Sequence, residues 1–224
     1  MRTLVHASAL GLALCTLAFA AGDAPPPAST AKVPAGAYTL DKTHASLIFK
    51  VSHLGFSNYT ARFKRFDAEL QFDPENPSAS KLRATVNVRS LETDFPKTPQ
   101  LDFNEQLLGK EWLDAATYPT ITYRSTAIEP TGPKTMRVIG DLTLRGVTRP
   151  VTLEVTYNGG YAGHPFDPHA RIGFSAQGTL KRSEFGIAYG LPAPGTTLGV
   201  GDEVTVILET EFSGPPLKNS SALK

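Results

Sequence analysis

The sequence predicts an all-β domain, a barrel or a sandwich of short antiparallel strands with one helical insertion. The first observation behind this is a two-residue alternation of apolar and polar side chains. It runs through Leu82, Ala84, Val86 and Val88, through Val151, Leu153, Val155 and Tyr157, and through Val204, Val206, Leu208, Thr210 and Phe212. Successive side chains on a strand point to opposite faces, so this beat means strands with one dry and one wet face. The second is turn chemistry between the beats, as in Asp73-Pro74-Glu75-Asn76-Pro77, Pro130-Thr131-Gly132-Pro133 and Asn158-Gly159-Gly160. The third is a single change of period: Phe103, Leu107, Leu108 and Trp112 fall at helical spacing.

In chain order, residues 1–20 read as a secretory signal peptide. A cationic start at Met1-Arg2 precedes an apolar stretch over 4–20 that ends in the small-x-small site Ala18-Phe19-Ala20. No stop-transfer segment follows, so no transmembrane segment is expected in the mature chain. Residues 21–35, with Pro25-Pro26-Pro27, form a Pro/Ala-rich leader. The folded domain is expected over 36–213, followed by a disordered tail over 214–224 that opens with Gly214-Pro215-Pro216.

Strands are expected near 37–41, 45–54, 61–73, 81–90, 119–128, 135–145, 147–158, 169–180 and 203–213. Phe63 and Phe66 are three apart and cannot share one face of a regular strand, so a bulge or strand start is expected at Lys64-Arg65. Arg145-Gly146 lies between two alternating runs and reads as a tight antiparallel hairpin. The helical insertion, near residues 101–114, is expected to cross one end of the sheet. Ala84, Gly140, Ala176 and Gly178 put small residues on the dry faces. That favours a cavity inside a closed barrel over a filled sandwich, since eight-stranded barrels are wide enough to hold one small ligand.

Composition narrows the function. Lys and Arg number 22 against 21 Asp and Glu, with no basic stripe, so nucleic acid is not an expected partner. Cys15, the one cysteine, lies in the signal segment, which leaves the mature chain without disulfides or thiol chemistry. No Gly-x-Ser-x-Gly elbow and no phosphate-binding Gly-rich loop are present. His44 and His53 are nine apart, an odd spacing that sends them to opposite faces of a regular strand, and His164 and His169 flank a Pro-punctuated loop. No metal site is expected from these.

Several blocks in order carry a resemblance. They begin with Tyr38-Thr39-Leu40-Asp41, His44 and Phe49-x-Val51-x-His53. Leu107, Trp112-Leu113-Asp114 and Tyr118-Pro119-Thr120-Ile121-Thr122-Tyr123 follow. Gly140-Asp141-Leu142-Thr143-Leu144-Arg145-Gly146-Val147-Thr148 comes next, and Arg182-Ser183-Glu184-Phe185-Gly186-Ile187 and Asp202-Glu203-Val204 close the set. Together they resemble the YceI-like, polyisoprenoid-binding family. The resemblance implies a lipocalin-like antiparallel eight-stranded β-barrel with a long apolar tunnel. It also implies a periplasmic or secreted location, and a homodimer in some members. The implied ligand is a non-covalently held isoprenoid lipid or isoprenoid quinone, carried or stored and not transformed. Departures such as Ala45, Ala61, Phe103-Asn104 and Trp112-Leu113 fall where the family's usual residues differ, so head-group contacts do not carry over.

Face parity and aromatic placement then nominate the lining. Leu47, Phe49, Val51, Phe66, Tyr123, Val138, Leu142 and Phe174 are expected along the tunnel, and Phe103, Leu107, Trp112 and Phe185 near its ends. His53 shares the face of Leu47, Phe49 and Val51, as a polar tip beside a head group or as a hydrogen-bonded core histidine. A long-chain amphiphile suits such a tunnel, because each methylene withdrawn from water contributes about 0.8 kcal/mol. Two alternatives stay open from the residues: an enzyme acting on a lipid or small electrophile with His53 as acid or base, and a structural or interaction module with a solid interior.

Overall fold

The computed structural model describes residues 32–163 and 166–216. The expected signal peptide, the leader up to residue 31, His164 and the tail from residue 217 lie outside the described residues. Ten strands and one helix follow in chain order: β1 (Gly36–His53), β2 (Ser57–Phe63), β3 (Phe66–Phe72), β4 (Lys81–Asn87), β5 (Leu91–Glu92), α1 (Phe103–Leu108), β6 (Thr120–Pro130), β7 (Thr135–Leu144), β8 (Val147–Tyr161), β9 (His169–Lys181) and β10 (Val200–Pro216).

Eight of these strands close an antiparallel barrel in the order β1-β3-β4-β6-β7-β8-β9-β10, and β10 returns to β1 through pairs such as Leu47↔Leu208 and Phe49↔Val206. The remaining two lengthen the wall at one end. β2 pairs with the second half of β1, and β5 pairs with the end of β2. The interruption between β2 and β3 falls at Lys64 and Arg65, where the spacing of Phe63 and Phe66 requires it. Closure gives each ring strand a partner on both sides over at least part of its length, which limits the usual route to edge-to-edge aggregation.

Residues 37–41 and 45–54, expected as two strands, are one. Leu40 pairs with Phe212 and Ala45 with Thr210, so residues 41–44 stand opposite the single Glu211. This wide bulge reverses parity: Tyr38 and Leu40 enter the core before it, Leu47 and Phe49 after it. Asp41 fastens it. One carboxylate oxygen accepts the Thr43 hydroxyl (2.6 Å) and backbone N–H (3.0 Å); the other accepts His44 Nδ1 (3.1 Å) and the Arg171 guanidinium from β9. The Thr43 hydroxyl, then His44, then the remaining donors hold the Asp41 carboxyl below the usual carboxylate range.

The hairpin at Arg145-Gly146 has positive φ at both central residues, 52° and 75°, the two-residue turn whose twist suits antiparallel strands. The helical insertion is shorter than expected. α1 ends at Leu108 with Gly109 as its C-cap, and Trp112 sits in the turn beyond it. The last strand is longer than expected: residues 214–216 belong to β10, with Pro216 opposite His169. A Cβ at Gly214 would fall 2.0 Å from the Tyr38 ring, so glycine is what lets that ring pack.

Gly140 also makes room for a ring. A Cβ there would lie 2.5 Å from Tyr123 Cζ and 2.6 Å from the Arg124 carbonyl. Gly140→Ala is expected to destabilise the barrel by about 1–3 kcal/mol through overpacking, read as a lower denaturant midpoint; an unchanged midpoint would refute the contact. Asp41→Asn is expected to destabilise at neutral pH. Because the folded carboxyl is held below its unfolded value, its contribution is present above the ordinary carboxylate range and fades as pH falls through the folded value. The gap between variant and parent should therefore narrow in acid, and a pH-independent gap would contradict this account.

Candidate functional site

Although they are enclosed by the ring, many inward-facing residues are only half-buried. Leu82, Ala84 and Val86 on β4 and Val204, Val206 and Leu208 on β10 are examples. The surface they keep is the wall of a cavity of about 610 Å³ that runs along the barrel axis. That volume falls in the range of small-molecule sites. Apolar side chains from β1 through β10 and from the insertion line it. Among the lining residues none is Asp or Glu, and the basic ones are His53 and Arg182.

One end is filled by rings. Phe72 meets Phe174 edge-on at 6.1 Å and Tyr38 edge-on at 5.8 Å; Tyr157 lies 5.5 Å and Phe212 6.1 Å from Phe174. Such offset and edge-on contacts add to the burial of the rings themselves. The opposite end is the mouth. His53 closes β1 there, exposed, beside Phe95, Phe103 and Gln106.

The expected lining residues gather as follows. Leu47, Phe49, Val51 and His53 come from β1, Phe66 from β3, Tyr123 from β6, Val138 and Leu142 from β7, and Phe174 from β9. Phe103 and Leu107 come from α1 and Trp112 from the turn after it, and all of these face the cavity. Phe185 does not. It belongs to a 3₁₀ turn after β9 and is buried against Leu144 and Ile187, behind the wall. Strand parity has no meaning past the strand end, so its direction was not readable.

The small dry-face residues divide in the same way. Ala84, Ala176 and Gly178 border the cavity, whereas Gly140 is covered by the Tyr123 ring. The Tyr123 hydroxyl donates to the carbonyls of Val138 (2.9 Å) and Val151 (3.1 Å). Burial pushes that hydroxyl pKa well above its ordinary value. It acts as a brace across β7 and β8, not as a proton donor to a ligand.

Two residues outside the expected set shape the mouth. Phe95 stacks 5.0 Å from Phe103. Arg182, fully buried, donates to the carbonyls of Val200 (2.7 Å), Gly201 (2.8 Å), Ile187 (2.9 Å) and Tyr189 (2.9 Å), while Trp112 covers its guanidinium at 5.4 Å. Burial lowers its pKa, partly opposed by the Asp202 carboxylate. Its signal in the sequence was an arginine at a strand end just before a long segment with few regular partners for its carbonyls.

Away from the cavity, Asp41, His44 and Glu211 bring three groups of metal-ligating type together. Both Asp41 oxygens already accept protein donors, and the Arg171 cation stands against one of them. A metal ion would have to displace that ion pair.

Comparison with known proteins agrees with this architecture. A family model described as the YceI-like domain matches residues 38–212. The chain belongs to the YceI-like domain family. Protein YceI of Escherichia coli O157:H7 is 35% identical over 209 residues, covering 91% of this chain and 96% of that protein. The crystal structure of BcnA from Burkholderia cenocepacia superposes with a TM-score of 0.64 at 28% identity, covering 77% of this chain and 98% of BcnA. A polyisoprenoid-binding domain from Saccharophagus degradans, implicated in plant cell wall breakdown, superposes with a TM-score of 0.54 at 17% identity over 80% of this chain and 98% of its own. At that identity the likeness is one of fold.

In this YceI-like domain, Arg182 is expected to fasten the segment over 187–201 to the barrel. Arg182→Met strands four carbonyls and is expected to lower stability by on the order of 3 kcal/mol. Arg182→Lys should recover little, because an ammonium lacks the planar fork that reaches several acceptors. Chemical denaturation and limited proteolysis within 187–201 read both effects; a lysine variant as stable and protected as the parent would overturn this role.

Proposed function

We propose that this YceI-like domain is an exported binding protein that holds an isoprenoid chain, as a polyprenyl lipid or the tail of an isoprenoid quinone, in its barrel cavity for carriage or storage. The observation that carries the reading is the continuous apolar wall of a cavity of about 610 Å³. An apolar chain gains about 0.8 kcal/mol for each methylene it withdraws from water, with no need for directional contacts along most of its length. Two polar lining groups stand at the mouth, where a head group would face solvent. They are the side chains of His53 and Gln106, which make no hydrogen bond or ion pair to another described residue.

Binding without turnover fits His53 better than acid–base catalysis does. A general base is ordinarily oriented by a third group, and His53 has none among the described residues. The fold shared with a polyisoprenoid-binding domain supports the ligand class. The apolar stretch over 4–20, ending at Ala18-Phe19-Ala20, supports export to the periplasm or beyond.

The test is to purify the protein from its host's envelope, extract it with organic solvent and identify the extract by mass spectrometry. A stoichiometric isoprenoid is expected. Ala84→Trp and Ala176→Trp, each placing an indole in the cavity, are expected to fold and to lose most of that lipid. Repeatedly empty parent protein, or full occupancy in both tryptophan variants, would defeat the proposal.

A further inference from the structure

Among the described residues five large apolar side chains are exposed: Phe56, Phe95, Phe166, Tyr189 and Leu198. Four of them share the mouth end of the barrel, although they come from three distant parts of the chain. Phe56, 82% exposed, tips the β1–β2 turn. Leu198 (69%) and Tyr189 (52%) project from the segment between β9 and β10, and Phe95 (44%) from the segment after β5. Phe166 is at the opposite end, beside the charged cluster of Asp167, Arg171 and Asp41.

These tips are held out, not left loose. Leu54 N–H donates to the Gly199 carbonyl at 2.8 Å, which joins the Phe56 turn to the Leu198 segment. Tyr189 rests 5.3 Å from the Trp112 ring, and its carbonyl accepts Arg182. Phe95 both borders the cavity and reaches solvent, so apolar surface runs without a break from the rim to the interior.

Charge gives a second, independent observation. Residues 185–201 contain no Asp, Glu, Lys, Arg or His, and neither do residues 54–61, in a chain that is 19% charged. Surface loops of this length ordinarily carry several charges. The far end does so, with the Asp41–Arg171–Asp167 network and the Lys32–Glu75 pair. Two of the three segments at the mouth are thus uncharged, while the third, around Phe95, carries the Arg62–Asp94 and Lys97–Asp102 pairs.

Charge-free segments that present Phe56, Tyr189 and Leu198 suit the interfacial layer of a bilayer. Aromatic side chains favour that depth and charged ones oppose it. Separate tips around an opening enter such a layer readily, while a protein partner would need a continuous complementary face. We propose that the mouth end docks on a lipid bilayer through Phe56, Leu198, Tyr189 and Phe95, so that an apolar chain moves between bilayer and cavity without crossing water. The passage rests on the lipid-holding function proposed above; the docking does not.

The experiment is vesicle flotation of the protein purified from its host, with phosphatidylethanolamine–phosphatidylglycerol vesicles and, separately, phosphatidylcholine vesicles. The parent protein is expected to float with both, at low and at high salt. The double variant Phe56→Ser/Leu198→Ser should lose at least tenfold in bound fraction while its denaturation midpoint and solvent-extracted lipid stay at parental values, and Phe166→Ser should float like the parent. No flotation, as a protein-docking rim would give, overturns the proposal. So does equal flotation of the double variant, or binding confined to anionic vesicles at low salt. An empty extract from a protein that floats defeats the storage reading alone, and a lipid-loaded protein that does not float defeats the docking alone.

Discussion

The structure depends on β1 finding neighbours on both of its sides. It pairs with β10 on one side and with β3 and then β2 on the other, and that double pairing turns a sheet into a closed wall. Only a closed wall lets inward apolar side chains line empty space: an open sheet with the same residues would collapse onto another layer to remove them from water. The bulge at 41–44 is part of the same constraint. It bends β1 and switches its parity, so both halves of the strand direct their apolar residues inward, and the Asp41–Arg171 pair ties the bent region to β9.

Given closure, the ends decide what the interior is for. At one end the rings of Tyr38, Phe72, Tyr157, Phe174 and Phe212 pack at edge-on and tilted angles and use up the space. Between those rings and the mouth at the other end, small residues such as Ala84, Ala176 and Gly178 border unfilled space. Two arginines keep that end in shape by bonding carbonyls that no strand pairs. Arg182 gathers the segment before β10, and Arg145 reaches the carbonyls of Lys110 and Gly186. Using guanidinium groups as multiple donors satisfies irregular backbone without a carboxylate in the cavity wall.

The alternation of residues, read by parity, placed the strands and most of the cavity wall correctly, because on a strand direction follows from position alone. The whole predicted set from Leu47 through Phe174 faces the cavity for that reason. Parity is lost wherever the chain leaves regular pairing. It did not show that 37–41 and 45–54 are one strand, that Phe185 turns behind the wall, or that 214–216 continue β10. Parity did not find Arg182 and Phe95 either, since both lie outside the strands, Arg182 in the turn after β9 and Phe95 in the segment after β5.

By itself, then, the sequence determined an all-β chain with dry inner faces, one helical insertion and a set of inward residues, since these follow from local periodicity and turn chemistry. The tertiary structure alone decided that the dry faces enclose a cavity, where it is plugged and where it opens, and that four distant apolar tips meet around its mouth. Volume and opening are properties of strand closure and of loops brought together across the barrel. No local pattern of residues encodes them.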